Sequence, residues 1–257
     1  MSTIVGKKIN RLFSSIPKGV VLLTSWLKAS GYGPDLVKRY RNSGWLESIG
    51  FGANIWSGDT VDCFGALYSL QEHCNSSIHV GARSALSLQG KSHYLEFRAK
   101  KIILFSANKD GRLPAWFKNF DWGVELKLHS SNFLPADLGL LGFPAKEFKI
   151  KISGEIRALM ECLHLVPHHQ ELTECYELME GMNNLHPKKV QELLSNCRSI
   201  KVKRLFLYLA EKAKHEWFNY LDLSNIDLGS GKRKIVENGF LDEKYKITVP
   251  KSWKSND

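Results

Sequence analysis

The 257-residue sequence predicts an α+β fold in two parts. Three observations carry that prediction. Apolar residues recur with helical spacing near the start of the chain and again from Glu155 onward, short segments between them alternate apolar with polar, and Gly, Pro and Asn mark the breaks.

The first helix is expected from Thr3 to Ser15, where Ile9, Leu12 and Phe13 recur at i, i+3 and i+4 and form an apolar stripe. Pro17, Lys18 and Gly19 break it. A short second helix runs from a Thr24 or Ser25 cap through Trp26, Leu27 and Ala29 to the Gly31–Tyr32–Gly33 turn. The third has the clearest ends: Gly33 at the N-cap, Pro34 at the first helical position where its missing N–H is harmless, and Gly44 just past Asn42. At about 100° per residue, Leu36 and Tyr40 share one face with Ser43 near them, while Lys38, Arg41 and Asn42 lie opposite. Trp45, Leu46 and Ile49 then lead into Gly50–Phe51–Gly52, and Asn54, Ile55 and Trp56 lead out, a hairpin with a Gly-rich tip. Helix, tight turn, helix and ribbon in that order across residues 17–58 describe a winged helix-turn-helix, which presents one helix to the DNA major groove. Lys and Arg neutralise phosphate or grip a guanine edge, and Asn pairs with adenine, so the exposed face of the third helix is the expected reader.

Beyond the hairpin, Asp59 or Thr60 is placed to cap a helix carrying Val61, Phe64, Leu67 and Tyr68, and a further helix spans Arg83 to Gln89. A compact apolar run at Lys101 to Phe105 and alternation at Val124 to Leu128 and Phe148 to Ile152 predict a small sheet, with a short helix at Pro114 to Phe117. From Glu155 helices dominate: Ile156, Leu159, Met160 and Leu163, then Leu172 to Met182, Val190 to Leu194, and a long one from Val202 to Phe218 striped by Leu205, Leu209, Ala213 and Trp217. Asn238–Gly239, between Lys234–Glu237 and Leu241–Val249, is a hairpin signal. The domains expected are 1–75, a DNA-binding winged helix-turn-helix, and 76–257, a mixed α/β C-terminal domain with a small sheet and several helices.

Charge points the same way. Thirty-six Lys and Arg against 26 Asp and Glu give a formal charge of +10 and a pI near 9.3, which suits a polyanionic partner. In residues 1–60 eight basic side chains face three acidic ones, whereas from 153 onward the balance is sixteen to fifteen. No apolar run approaches the ~20 residues that cross a bilayer, and Met1–Ser2–Thr3 opens no signal-peptide core; the expected location is cytoplasmic, with no membrane partner. Cys63, Cys74, Cys162, Cys175 and Cys197 are odd in number and lack C-x-x-C spacing, and His164, His168 and His169 near Cys162 fit no tetrahedral template. No metal, cofactor or catalysis is expected. Gly229–Ser230–Gly231–Lys232 lacks the spacing of a phosphate loop, and Lys232, Arg233 and Lys234 read as solvated surface.

Two alternatives stand beside a DNA-binding regulator. Glu125–Leu126–Lys127 has the acidic-x-Lys spacing of metal-dependent nucleases, with Asp110 and Asp121 upstream as further carboxylates. A stand-alone transcriptional repressor is the other.

Several phrases resemble one family: Ile16–Pro17–Lys18–Gly19, Tyr40–Arg41–Asn42–Ser43–Gly44–Trp45–Leu46–Glu47, Gly65–Ala66–Leu67–Tyr68, His79–Val80–Gly81–Ala82–Arg83 and Leu113–Pro114–Ala115–Trp116–Phe117. Asp227–Leu228–Gly229–Ser230–Gly231–Lys232–Arg233 and Tyr245–Lys246–Ile247–Thr248–Val249–Pro250 continue the match near the end. They resemble the AbiEi-type antitoxins of bacterial abortive-infection, type IV toxin–antitoxin systems. The resemblance implies a winged helix that binds inverted repeats in its own operon promoter and represses it, and a C-terminal domain responsible for antitoxicity. It further implies a nucleotidyltransferase-like AbiEii toxin that need not form a stable complex with the antitoxin. Carried over by position, DNA contact falls to Lys38, Arg41 and Asn42, with Arg39 on their flank and Lys18 and Ser25 on phosphates. One position departs from the pattern: where the family commonly has a basic residue at the wing tip, Phe51 stands between the glycines, which counts against minor-groove reading by the wing and leaves an apolar tip to lie along the sugar edge.

Overall fold

The computed structural model describes residues 2–91, 101–107 and 111–254, with side chains from residue 8 onward. Its N-terminal part follows the order α1 (Ser2–Ser15), β1 (Leu22–Leu23), α2 (Thr24–Ala29), α3 (Pro34–Asn42), β2 (Leu46–Gly50) and β3 (Ala53–Trp56). β3 lies between β1 and β2, antiparallel to both, with Leu22 opposite Asn54 and Leu46 opposite Trp56. Ile9 and Leu12 of α1 are buried as their spacing requires, but Phe13 is 46% exposed. One 100° step past Leu12 carries it to the rim of the stripe, where its ring stands edge-on to Trp56 at 5.2 Å. The expected Thr24 or Ser25 cap is replaced by Leu23, without a side-chain cap: the Thr24 hydroxyl instead accepts from Asn54 Nδ2 at 3.3 Å, and its N–H donates to the Gly52 carbonyl at 2.8 Å.

α4 (Cys63–Cys74) joins this part to the rest. Its cap is Asp62, whose carboxylate accepts from the Phe64 and Gly65 N–H groups at 3.0 Å. Asp59, one of the two expected caps, is committed elsewhere, accepting the Gly19 N–H at 2.7 Å. One side of α4 packs on β1 and another on the second sheet. Ser69 donates to the Val21 carbonyl and accepts the Val21 N–H, and Tyr68 lies 5.1 Å from the Phe148 ring. Gly65 allows this seating, because a Cβ there would overlap the Gly19 carbonyl oxygen. Gly65→Ala would gain about 1 kcal/mol of helix propensity yet drive a methyl into backbone, an overpacking of roughly 1–3 kcal/mol. We expect the upper end, since a carbonyl yields less than a side chain, and hence a lower urea midpoint; a midpoint at or above the wild-type value would contradict this packing.

The second sheet contains β4 (His79–Val80), β5 (Lys101–Ser106), β6 (Glu125–Ser130), β7 (Leu140–Ala145) and β8 (Phe148–Ser153) in the order β6-β5-β4-β8-β7. β5 and β6 run parallel, with α6 (Ala115–Asn119) in the crossover; β4 is antiparallel to β5 and parallel to β8. β4 and β7 are additions to the three expected strands. α5 (Ala82–Leu88) packs on β5 and on α7 (Glu155–Leu165), and α8 (Leu172–Glu180), α9 (Pro187–Asn196) and α10 (Ile200–Lys212) complete the helical layer. The long helix expected to Phe218 stops at Lys212: Lys214 takes a left-handed φ of 54°, and buried Trp217 comes from a separate 3-10 turn, Glu216–Tyr220.

At the C-terminus the expected hairpin around Asn238–Gly239 is corrected. β9 (Phe240–Asp242) pairs with β10 (Ile247–Val249) around the Asp242–Lys246 turn, so Lys234–Glu237 is not its strand. Asn238 does adopt a left-handed φ of 53°, but Gly239 is needed for another reason: a Cβ on it would strike the Val249 carbonyl.

Glu161 of α7 is fully buried at the centre of the second part. Its carboxylate accepts from Arg157 Nε at 2.9 Å, Ser153 Oγ at 2.7 Å and the Ala82 N–H at 2.9 Å, and faces His79 Nε2 at 3.0 Å. Arg157 also donates to the Pro135, Ala136 and Leu138 carbonyls. One carboxylate thereby holds together the β4–α5 turn, the end of β8, α7 and the 135–138 loop. Gly81 is small because a Cβ there would run into Glu161.

Candidate nucleic-acid interface

α3 is held from its apolar side. Leu36, Val37 and Tyr40 are buried, Tyr40 at 2% exposure, and burial foremost raises the Tyr40 phenol above its ordinary value, with Tyr32 adding to the shift. Pro34 at the first turn, Asp35 beside it and Arg39 and Arg41 in the last turn suit both the backbone and the helix dipole. The end is closed by Gly44 at φ 73°, the Trp45 N–H on the Tyr40 carbonyl at 2.9 Å and the Ser43 hydroxyl on the Arg39 carbonyl at 2.8 Å. A helix fixed in this way has its outer face set by sequence alone.

That face carries Lys38, Arg39, Arg41 and Asn42, all exposed. Among the described residues, none of the three cations takes part in an ion pair. Ser25 is exposed at the start of α2, and the Thr24–Gly52 hydrogen bond brings that start against the β2–β3 tip. Lys18 stands apart. Its ammonium lies 6.0 Å over the Phe13 ring, and its backbone N–H points at Glu147 across 3.5 Å, at the joint with the β7–β8 turn. The same joint includes Lys146, paired with Asp62 at 2.9 Å.

Two features were not part of the sequence reading. Lys28, in the last turn of α2, is exposed. The hairpin tip is also braced from the second part: Gly50, at φ 149°, lies so close to Trp116 of α6 that an added Cβ would sit 2.9 Å from the Trp116 Cβ. Helix periodicity signals Lys28 only weakly, and nothing local signals Trp116, which reaches Gly50 from a distant stretch of the chain.

The described groups of the nuclease alternative are engaged elsewhere. Glu125 and Lys127 pair with each other at 3.4 Å on the exposed edge strand β6, Asp121 accepts the Gly123 N–H at 2.8 Å in its own turn, and Asp110 lies outside the described residues. Among the described residues no three His, Cys, Asp or Glu side chains are grouped to hold a metal ion. His164 stacks on Phe133 at 4.6 Å, and burial lowers its pKa to about 4. Lys232 and Lys234 pair at the surface with Glu243 and Glu237. No helix among the described residues is long and apolar enough to cross a membrane.

Both family models that match the chain describe a transcriptional regulator. The chain belongs to the AbiEi antitoxin family of type IV toxin–antitoxin systems: residues 6–97 match the AbiEi antitoxin N-terminal domain, and residues 99–250 match the model described as "Transcriptional regulator, AbiEi antitoxin, Type IV TA system". Among solved structures, the chain is similar to the crystal structure of the RV2827C protein from Mycobacterium tuberculosis. The TM-score is 0.57 and the identity 14%, over 89% of this chain and 85% of that one, a likeness of fold. No curated protein matches it.

Proposed function

We propose that the protein is a cytoplasmic DNA-binding antitoxin that occupies inverted repeats in its own promoter, represses that promoter and counteracts a nucleotidyltransferase-like toxin. Residues 1–75 act as a winged helix-turn-helix and residues 76–257 as the antitoxin domain. One observation carries the DNA reading: α3 buries Leu36, Val37 and Tyr40 and leaves Lys38, Arg39, Arg41 and Asn42 in solvent with no ion pair to any described carboxylate. A cationic face of this kind exchanges its counter-ions for phosphates and places base-reading groups in the major groove. Lys38, Arg41 and Asn42 read bases, Arg39 lies on their flank, and Ser25 and Lys18 contact phosphates. Two copies bound at half-sites one helical turn apart, or a multiple of it, would block the promoter.

Footprinting on DNA upstream of the protein's own gene tests this directly, and protection of paired half-sites is expected. Affinity should fall linearly on a log–log plot against salt, with a slope of about −0.9 for each phosphate neutralised. A flat salt dependence or the absence of a footprint would refute the reading. Rescue of growth on co-expression with a nucleotidyltransferase-like AbiEii toxin tests the antitoxin half.

A further inference from the structure

The β2–β3 tip holds a side chain that the fold does not use. Phe51 is 98% exposed, between Gly50 and Gly52. Its backbone is nevertheless held firmly. The Gly52 carbonyl accepts from Thr24, the Ser48 hydroxyl donates to the Gly50 carbonyl at 3.1 Å, Gly52 turns with φ 76°, and Gly50 is pressed against Trp116. A flexible tip would let a phenyl ring fold back onto apolar surface; this one keeps it in water. The ring is flanked by glycines, so the tip is narrow, and the Thr24–Gly52 hydrogen bond ties that tip to the start of α2, where Ser25 follows Thr24 in the chain.

We propose that Phe51 is a minor-groove wedge, its ring entering the narrow groove next to the half-site read by α3 and prying open a base step. This rests on the DNA-binding reading above. Apolar side chains, Phe among them, act in this way by partly unstacking a step and bending the duplex by roughly 20–90°. Pyrimidine–purine steps give way most easily, so the wedge selects operators with such a step beneath the tip, at bases that α3 does not touch. DNA suits the geometry better than a protein partner. A stable protein interface buries about 1,200–2,000 Å², whereas one Phe supplies about 150–250 Å², and the neighbouring Gly50 and Gly52 add no side chain.

The full-length protein is tested on its footprinted operator, with 2-aminopurine at the step under the tip and with circularly permuted fragments for bending. Wild type should raise the 2-aminopurine fluorescence and bend the fragment. Phe51→Ala should abolish the rise, straighten the fragment and weaken binding about tenfold, a loss within the range of a base–aromatic stack. Phe51→Leu should retain part of the bend, and Phe51→Lys should recover affinity through its charge without restoring the fluorescence. Thermal melting of all three should match wild type, because the ring packs on nothing. Unchanged unstacking and bending in Phe51→Ala would overturn the wedge, as would intact operator behaviour with loss of self-association or toxin rescue. In either case, operator binding that still depends on Lys38 and Arg41 would leave the DNA reading standing.

Discussion

Replacing Lys38 and Arg41 together by alanine is expected to lower operator affinity by roughly 30- to 10⁴-fold, because each good base contact contributes about 1–3 kcal/mol. If one of them lies on a phosphate instead, the loss is sequence-independent and the salt slope becomes shallower by about 0.9. Gel shifts at two salt concentrations on operator and scrambled DNA separate these roles. Asn42→Ala should act differently, relaxing the preference at one adenine with a smaller loss elsewhere. All three side chains are exposed, so none of these changes should move the melting temperature. Tyr40→Ala, on the buried side of the same helix, should lower it through an aromatic-to-alanine cavity of about 3–5 kcal/mol. Wild-type operator affinity in the Lys38/Arg41 double variant would remove α3 from the interface altogether.

Glu161→Ala should cost about 3–5 kcal/mol in urea unfolding, because it leaves Arg157 charged and buried without its carboxylate partner. The pH dependence follows from the same contacts. Burial by itself raises the Glu161 carboxyl, but the hydrogen bond and charge of His79, with Arg157 and the Ala82 N–H, outweigh burial and hold it at about 2, below its ordinary 4.5. A carboxyl depressed in the fold contributes stability that is complete above its unfolded value and lost as pH falls through its folded value. Wild type should therefore lose about 3 kcal/mol between pH 4.5 and 2, at about 1.36 kcal/mol per unit. Glu161→Gln should flatten that part of the acid curve. An acid transition unchanged in Glu161→Gln would mean that other carboxylates control it.

What the sequence made legible was local. α3 matched its expected bounds because Gly33, Pro34 and Gly44 each act on their own neighbours. The β2–β3 hairpin was readable for the same reason, its turn residues lying next to its strands. β4 was too short, at two residues, to show any period. β7 contains Gly142 and Pro144, which argue against a strand except at a sheet edge, where it lies. The Asn238–Gly239 signal was local as well, yet a close approach to Val249 had set the residue there. At the candidate interface, the identities on α3 were visible, whereas the Trp116 brace, the position of the α2 start against the β2–β3 tip and the placement of Lys18 near Glu147 depend on pairings between distant stretches.

The seating of α4 on both sheets bears on how this protein can be taken apart. Cutting after residue 75 would expose Tyr68 where Phe148 now covers it, release Asp62 from Lys146 and remove the Trp116 support from Gly50. The liberated fragment would carry raw oily surface into solvent and lose the strut behind its hairpin. The N-terminal part is therefore not a portable cassette, and grafting it onto another protein would require rebuilding that missing wall.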